Sequence, residues 1–327
     1  MTKVSIEVLS GPDARQARMR GDVRDGLSGI SKSIPPVWFY DERGSRLFDE
    51  ITRLPEYYLT RAERSILEAR AGEIVELSGA ATLVEIGSGT SEKTRVILDA
   101  MAEMGALDKV VLLDISEAAL REAALQLHRC YNVPVEAVVG DLRDEFDSIP
   151  AGGSRLWVFL GSTIGNFGPV ERRQLFGRFA RAMGPHDRLL LGADLVKDPA
   201  RLVAAYDDQA GVTAAFNLNV LEVLNGELGA DFDLEGFSHR AVWNVEESRV
   251  EMRLRCAAGQ EVSLPAVDMR VSLAAGEELL TEISTKFSED GLRGELVAAG
   301  FEVDRCWFDD HDDFMVVLAG LSDPTYD

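Results

Sequence analysis

The sequence has few cysteines, no cluster of basic residues and no long apolar run. Its three cysteines, Cys130, Cys256 and Cys306, are widely spaced, so we expect reduced thiols and a cytoplasmic protein. No signal-peptide core or membrane-length run is present, and we expect no membrane association. The net charge of −22 argues against a nucleic-acid partner. No sequence pattern fixes the oligomeric state, and we expect a monomer.

A metal site is not expected either. The acidic stretch 309–313 carries four aspartates around His311. Metal-binding loops of oxygen ligands need turn glycines and a defined spacing, which this stretch lacks. It lies between two apolar runs, so the sequence predicts a hairpin tip there and no bound metal.

Helical and strand patterns alternate from about residue 62 onward. Five apolar runs end near residues 85, 114, 139, 160 and 192, which predicts a parallel sheet with helices on both faces. The alternation lapses after about residue 197 and resumes near residue 288 with a helix and two strands. Because 327 residues exceed one average domain, we predict an α/β domain formed by 61–196 and 286–321. A second, substrate-binding domain would consist of 1–60 and 197–285.

A glycine-rich turn follows the first of these strands. Gly87 and Gly89 lack a Cβ atom, so a ligand could approach the backbone closely there. The third glycine of a dinucleotide motif is replaced by Glu92, and no phosphate-binding loop motif is present. A strand-end acid, Glu85, would suit the ammonium and sulfonium of S-adenosylmethionine. An ordinary strand-to-helix turn remains the alternative for the glycines alone.

Two further strands also end in acids. Asp114 lies about 25 residues after the glycine turn, where α/β nucleotide folds place a carboxylate on ribose hydroxyls. Asp141 follows the third strand, where its carboxylate could accept a bond from the adenine amino group. Aspartate is common after strands, so each acid alone is weak evidence. Three acids in order at this spacing favour an S-adenosylmethionine site.

At the level of longer motifs, the chain resembles a known family. The matching segments lie at 36–41, 47–58, 82–94, 159–166, 194–198 and 280–287. In these motifs the chain is similar to the histidine-specific, S-adenosylmethionine-dependent methyltransferases of ergothioneine biosynthesis. The resemblance covers nearly the whole chain. It implies a Rossmann-like class I methyltransferase sheet and a substrate-binding lobe formed by the N-terminal segment and an insertion after strand five.

The resemblance also implies an activity and a set of site residues. The activity is the transfer of three methyl groups to the α-amino group of L-histidine, which gives hercynine. The implied catalytic residues are Asn166 and Tyr40. The cofactor would be bound by Gly87, Lys93, Asp114, Asp141 and Leu142. The substrate would be bound by Tyr57, Asn166, Tyr206, Met252, Glu282, Ile283 and Ser284.

The residues themselves support part of this assignment. Strand alternation places Glu282 and Ser284 on one face, where a carboxylate and a hydroxyl could hold both nitrogens of an imidazole. A solvent-facing edge strand is the alternative for that segment alone. Asn166 follows the fourth strand, at the sheet edge where open α/β folds bind ligands, although it could instead stabilise a turn. Tyr206 could donate to a substrate carboxylate or be a partly exposed helix residue. Tyr40 and Tyr57 lie in aromatic segments that are more often explained as core, and only the resemblance assigns them to the site.

Three competing functions remain open at this stage. A relative acting on another amino acid, such as tryptophan, is disfavoured by Met252 and Glu282, because an indole cannot use a carboxylate as imidazole does. A non-catalytic binding protein would be expected to have lost the polar site residues, which are present. A nicotinamide-dependent oxidoreductase lacks its third glycine. For methyl transfer, the group that accepts the proton of the substrate amine is left open.

Overall fold

The structure is a computed structural model that describes residues 4–9, 11–87, 91, 93–140, 145–150 and 152–322. The strands are β1 (Val4–Val8), β2 (Thr82–Ile86), β3 (Lys109–Asp114), β4 (Val135–Val139), β5 (Arg155–Phe159), β6 (Arg188–Asp194), β7 (Phe237–Asn244), β8 (Arg249–Cys256), β9 (Gln260–Leu264), β10 (Met269–Leu273), β11 (Glu278–Thr285), β12 (Phe301–Phe308) and β13 (Phe314–Leu321). The α-helices are α1 (Pro12–Ser28), α2 (Glu42–Ile51), α3 (Leu59–Ser78), α4 (Arg95–Glu103), α5 (Glu117–Tyr131), α6 (Pro169–Ala182), α7 (Pro199–Ala204), α8 (Val212–Leu228) and α9 (Glu289–Ala298). Within the described ranges, no helix is long and apolar enough to cross a membrane.

The described residues form two compact units. The first, here called the sheet unit, comprises those within 1–10, 59–196 and 287–327. The second unit comprises those within 11–58 and 197–286. This division differs from the predicted one at the N-terminus, because β1 pairs with β4 and so belongs to the sheet unit.

The sheet unit is built on one eight-stranded sheet with the order β1-β4-β3-β2-β5-β6-β13-β12. Neighbours from β1 to β6 are parallel, and β13 is antiparallel to both β6 and β12. The predicted Rossmann-like α/β sheet is confirmed, with β1 as an additional edge strand. The strand order reverses between β2 and β5, since β2–β4 extend in one direction and β5–β6 in the other. Ligands of open α/β sheets bind at such a reversal, at the carboxyl ends of the strands.

The core of the sheet unit follows from its apolar strands. All five residues of β5 are buried, as expected for a central parallel strand covered on both faces. Trp157 and Phe159 of this strand pack against Phe179 of α6, with ring centroids about 6 Å apart. This buried layer fixes the position of β5 and therefore of the loop that follows it.

The acidic stretch 309–313 is the turn between β12 and β13. Oδ1 of Asp309 accepts hydrogen bonds from the backbone N–H groups of Asp313 and Phe314, each at 2.8 Å. The predicted hairpin tip is therefore confirmed. In the part of the chain that the structure describes, no group of three or more metal-binding side chains is found.

The second unit contains two small antiparallel sheets and helices α1, α2, α7 and α8. Its larger sheet has the order β11-β8-β7, and β9 pairs with β10. Phe39, which is fully buried, packs against Phe216 of α8 with ring centroids 4.6 Å apart. Trp38 is also buried, and its indole N–H donates to Asp22 of α1 at 3.1 Å. The Phe39–Phe216 contact ties the N-terminal segment to the insertion, and the Trp38–Asp22 bond ties the same segment to α1.

Candidate active site

In the sheet unit, those predicted cofactor residues that the structure describes lie beside the reversal of strand order. Gly87 directly follows β2 and has φ +70°, and a Cβ built on it would meet no heavy atom within 4 Å. Its N–H donates to the carbonyl of Leu113 at 2.8 Å, which fixes the start of the turn against β3. Asp114 ends β3 and accepts from the N–H of Ser116 at 2.8 Å. Asp141 and Leu142, also predicted to bind the cofactor, lie outside the described residues.

Glu85 of β2 is a buried acid at the base of this turn. Its carboxylate accepts hydrogen bonds from the hydroxyls of Ser91, at 2.6 Å, and Thr94. Burial raises the pKa of Glu85 from 4.5 to about 7, although these two bonds and the charge of Lys93 act in the opposite direction. The residues thus fit a cationic ligand, because a bound positive charge would favour the ionised form of Glu85.

The raised pKa predicts a specific pH dependence of stability. Between pH 4.5 and 7 the unfolded chain releases a proton that folded Glu85 retains, so the free energy of unfolding falls as the pH rises. The free energy of unfolding falls by about 3 kcal/mol in total, at 1.36 kcal/mol per pKa unit. Above pH 7 Glu85 is ionised in both the folded and the unfolded state, so no further fall is expected. Urea denaturation of Glu85→Gln should show no such fall in the free energy of unfolding. The matched variant Glu103→Gln, on the exposed face of α4, should keep it, and parallel profiles for all three proteins would contradict the assignment.

Lys93 is held by an acid that the sequence analysis did not single out. Glu63 of α3 is fully buried and accepts a hydrogen bond from the Lys93 ammonium. Its other carboxylate oxygen accepts from the N–H of Gly161 at 2.7 Å. Glu63 therefore connects the turn after β2 with the loop after β5.

Asn166 lies in the loop after β5, in a single turn of 3-10 helix over Thr163–Asn166. The loop is fixed at Ser162, which has φ +55° and whose hydroxyl accepts from the N–H of Asp194 on β6 at 3.0 Å. Asn166 is half-buried and occupies the carboxyl end of β5, next to β2 in the sheet. Gly87, Lys93, Asp114 and Asn166 thus all belong to the same edge of the sheet unit.

The predicted substrate residues on strands lie in the second unit, on β8 and β11. Glu282 of β11 is directly opposite Met252 of β8, and Ser284 is opposite Val250. Because directly opposite residues share a face, Glu282, Met252 and Ser284 project from the same side of the sheet. Ile283 is opposite Glu251 and faces the other side, so a contact of Ile283 with substrate would come from its backbone. A bulge between Leu280 and Glu282 resets the alternation just before this segment.

Tyr206 joins Ser284 in the second unit. It lies two residues beyond α7 and is buried, with its hydroxyl oxygen 2.7 Å from Oγ of Ser284. Asp198 caps α7 by accepting from the N–H of Ala200 at 2.8 Å, with Pro199 in the first turn. Tyr206 is therefore not the partly exposed helix residue that the sequence allowed, because α7 ends before it and its side chain is buried.

A third group joins this pair, and the sequence analysis missed it. Lys286 has only 2% of its surface exposed, and its ammonium donates to Tyr206 Oη and Ser284 Oγ, both at 2.8 Å. The signal was present in the sequence, since Lys286 continues the alternation of Glu282 and Ser284. We call Tyr206, Ser284 and Lys286 the hydroxyl–ammonium cluster.

The remaining predicted tyrosines form an aromatic row in the second unit. The ring of Tyr57 meets that of Tyr206 edge-on, with centroids 6.1 Å apart. Phe48 lies between Tyr57 and Tyr40, with centroid distances of 6.4 and 5.7 Å. Tyr40 also packs edge-on against Phe216. The structure therefore connects Tyr40, Tyr57 and Tyr206 through ring contacts. Such a row of rings fits either a cluster of core residues or one side of a ligand-binding site.

A buried polar chain supports both Tyr206 and the Glu282 segment. His239 Nε2 lies 2.8 Å from the carbonyl oxygen of Tyr206, and its Nδ1 lies 2.8 Å from the amide nitrogen of Asn217. The Thr281 hydroxyl donates to Oδ1 of Asn217 at 2.6 Å. The amide must donate to Nδ1, so neutral His239 carries its proton on Nε2 and donates it to Tyr206. Burial lowers the pKa of His239, which favours this neutral form.

Comparison with known proteins adds to this geometry. The family described as histidine-specific methyltransferase, SAM-dependent, matches residues 19–321. Histidine N-alpha-methyltransferase of Mycobacterium tuberculosis (strain CDC 1551 / Oshkosh) is 52% identical over 318 residues, which cover 97% of this chain and 99% of that protein. The protein of the same name from Mycolicibacterium smegmatis is 50% identical over 320 residues, covering 98% and 99%. Ergothioneine biosynthesis protein 1 of Schizosaccharomyces pombe is 30% identical over 314 residues, covering 91% of this chain and 39% of that protein.

Proposed function

The chain belongs to the S-adenosylmethionine-dependent, histidine-specific methyltransferase family, and from this membership we propose that it transfers three methyl groups to the α-amino group of L-histidine. The product would be hercynine, a step in ergothioneine biosynthesis. The observation that best supports this substrate is the shared face of Glu282 and Ser284, a carboxylate and a hydroxyl at strand spacing. The relatives named histidine N-alpha-methyltransferase support the same choice.

The two sides of an imidazole need different partners. A neutral imidazole has one N–H donor and one acceptor nitrogen. The Glu282 carboxylate can accept the N–H, and a hydroxyl can donate to the other nitrogen. Met252, opposite Glu282, offers an adaptable apolar surface for the ring. An indole ring, with a single N–H, would use only part of this set.

The methyl donor of this enzyme family is S-adenosylmethionine, which supplies a methyl group activated by its positive sulfonium. We assign its binding to Gly87, Lys93, Asp114, Asp141 and Leu142, with Glu85 favouring its positive charge. The enzyme's remaining task is to align an uncharged amine with the methyl group, and such alignment can supply much of the rate acceleration. We assign the positioning of the amine to Asn166, with Tyr40 as the second catalytic candidate.

The proposal is tested by product analysis with single amino acids. The protein is incubated with S-adenosylmethionine carrying a deuterated methyl group and with histidine, tryptophan or another amino acid. We expect histidine alone to gain three methyl groups, all located by NMR on the α-nitrogen. Methylation of the ring would overturn the assignment of Glu282 and Ser284 to the imidazole. Preferential methylation of tryptophan would replace histidine as the substrate, and no turnover with any amino acid would refute the proposed activity.

A further inference from the structure

Thr281 is the extra residue of the bulge in β11. Leu280 lies opposite Arg253 of β8. The next residue of β8 is Met252, and it lies opposite Glu282 rather than Thr281. Thr281 is therefore inserted between two regular stretches of the ladder, as the additional residue of a β-bulge is. Its side chain is nevertheless buried, with only 1% of the residue exposed.

The bulge decides the face from which Glu282 projects. Side chains of a strand alternate between its two faces, so a shift of one residue moves every following side chain to the other face. If Thr281 were paired in the regular way, it would occupy the place opposite Met252. Glu282 would then lie opposite Glu251, and like charges directly opposite each other destabilise a sheet. Because of the bulge, Glu282 instead projects from the side of Met252 and of Ser284 in the hydroxyl–ammonium cluster.

Two polar side chains bridge the bulge. The hydroxyl of Thr281 lies 2.6 Å from Oδ1 of Asn217 and 3.0 Å from the carbonyl oxygen of Met252, and both of these atoms are acceptors. The amide nitrogen of Asn217, on α8, donates to the carbonyl of Arg253 at 3.2 Å and to Nδ1 of His239 at 2.8 Å. Asn217 is fully buried. It therefore joins the inserted residue of β11 to both β8 and β7.

The chain is also held immediately before the bulge. The N–H of Leu280 donates to the carbonyl of Lys32, and its carbonyl accepts from the N–H of Ile34, each at 2.9 Å. Asn217 uses both of its amide hydrogens and its oxygen, so loss of the Thr281 hydroxyl would leave a buried acceptor without that donor. The bonds at Leu280 and at Thr281 together fix where along β11 the extra residue lies.

We propose that Thr281, anchored by Asn217, is a positioning residue that determines substrate specificity by holding the bulge that turns Glu282 toward Met252. This inference rests on the proposed function, since it presupposes that Glu282 accepts the imidazole N–H of histidine. Thr281 needs no contact with the substrate, because it acts through the direction of the Glu282 side chain.

The test removes the Thr281 hydroxyl while keeping the branched shape of the side chain. Thr281→Val cannot donate to Asn217, and we expect its kcat/KM for histidine to fall about 10- to 100-fold. Thr281→Ser keeps the donor and should stay within about threefold of the wild type. Dissociation constants for S-adenosylmethionine should also change less than about threefold, because the assigned cofactor residues belong to the sheet unit.

A double-mutant cycle with Glu282→Ala separates positioning from general structural damage. The Glu282→Ala background has no carboxylate left to position, so Thr281→Val should lower kcat/KM there by less than about threefold. Losses that multiply would overturn the proposal, and so would near-normal kcat/KM in Thr281→Val alone. If Thr281→Val does not fold, Thr281→Ala removes the same hydroxyl without placing a methyl group against Asn217, and it carries the same expectations.

The control for lost stability is Val262→Ala. Val262 is 1% exposed and lies opposite Val271 in the two-stranded sheet of the same unit. Removing its methyl groups should lower the midpoint of urea denaturation while leaving kcat/KM for histidine within about threefold of the wild type. An equal loss of kcat/KM in Val262→Ala and Thr281→Val would show that reduced stability, rather than the face of Glu282, explains the effect.

The outcomes for the proposed function are distinct. If the wild type trimethylates histidine while the losses in the double-mutant cycle multiply, only the role of Thr281 is wrong. If the wild type does not methylate histidine, both the proposed function and this inference are overturned.

Discussion

Glu282→Ala is expected to lower kcat/KM for histidine about 30- to 1,000-fold. The proposed imidazole N–H loses its acceptor in a half-buried site, which costs roughly 2–4 kcal/mol in transition-state binding at 1.36 kcal/mol per factor of ten. Dissociation constants for S-adenosylmethionine should stay within about threefold of the wild type, because Glu282 belongs to the second unit and the assigned cofactor residues to the sheet unit. Steady-state kinetics and calorimetry provide the two measurements.

Two further variants make this prediction specific. Glu282→Gln keeps an oxygen that can accept the imidazole N–H and should recover part of the activity. Glu278→Ala, on the same strand, removes an acid that pairs with Arg240 and Arg253 and should leave the preference for histidine unchanged. The alanine variant at 282 should also accept apolar or indole-bearing amino acids better. Near-normal activity and selectivity would mean that Glu282 is an ordinary strand residue.

The sequence predicted those parts of the fold that depend on local periodicity. The apolar runs of β2 to β6, the last helix and the hairpin at 309–313 could be found because burial on both faces and turn residues leave a local pattern. The edge strand β1 was missed and its residues were assigned to the second domain. Its alternating, half-exposed residues gain their partner only from β4, which lies about 130 residues later in the chain.

The candidate site was predictable to a similar extent. Strand alternation correctly paired Glu282 with Ser284, and it would have included Lys286 had the pattern been followed one step further. Glu63 could not have been found in this way, because a glutamate near the start of a helix usually faces solvent. Its burial depends on Lys93 and Gly161, which the fold brings to it from 30 and 98 residues away. Roles that depend on such distant partners have no local signature.

Glu63→Ala is expected to lower the stability of the protein substantially. Glu63→Ala leaves the Lys93 ammonium and the Gly161 N–H without their acceptor, and breaking a buried ion pair from one side costs about 3–5 kcal/mol. Because 27% of the Lys93 side chain is exposed, solvent can compensate in part, and about 3 kcal/mol is expected. Urea denaturation followed by circular dichroism gives the free energy of unfolding.

The fit of Glu63 against the sheet explains why only a close replacement should be tolerated. A Cβ built on Gly192 of β6 would lie 2.0 Å from Oε1 of Glu63, so the carboxylate occupies the space that this glycine leaves. Glu63→Gln preserves this shape and one acceptor, and should lose less stability than Glu63→Ala. The control on the same helix is Glu68→Ala, which breaks an exposed pair with Arg64 and should cost less than about 0.5 kcal/mol. Equal losses for Glu63→Ala and Glu68→Ala would show that Glu63 does not connect the turn after β2 with the loop that carries Asn166.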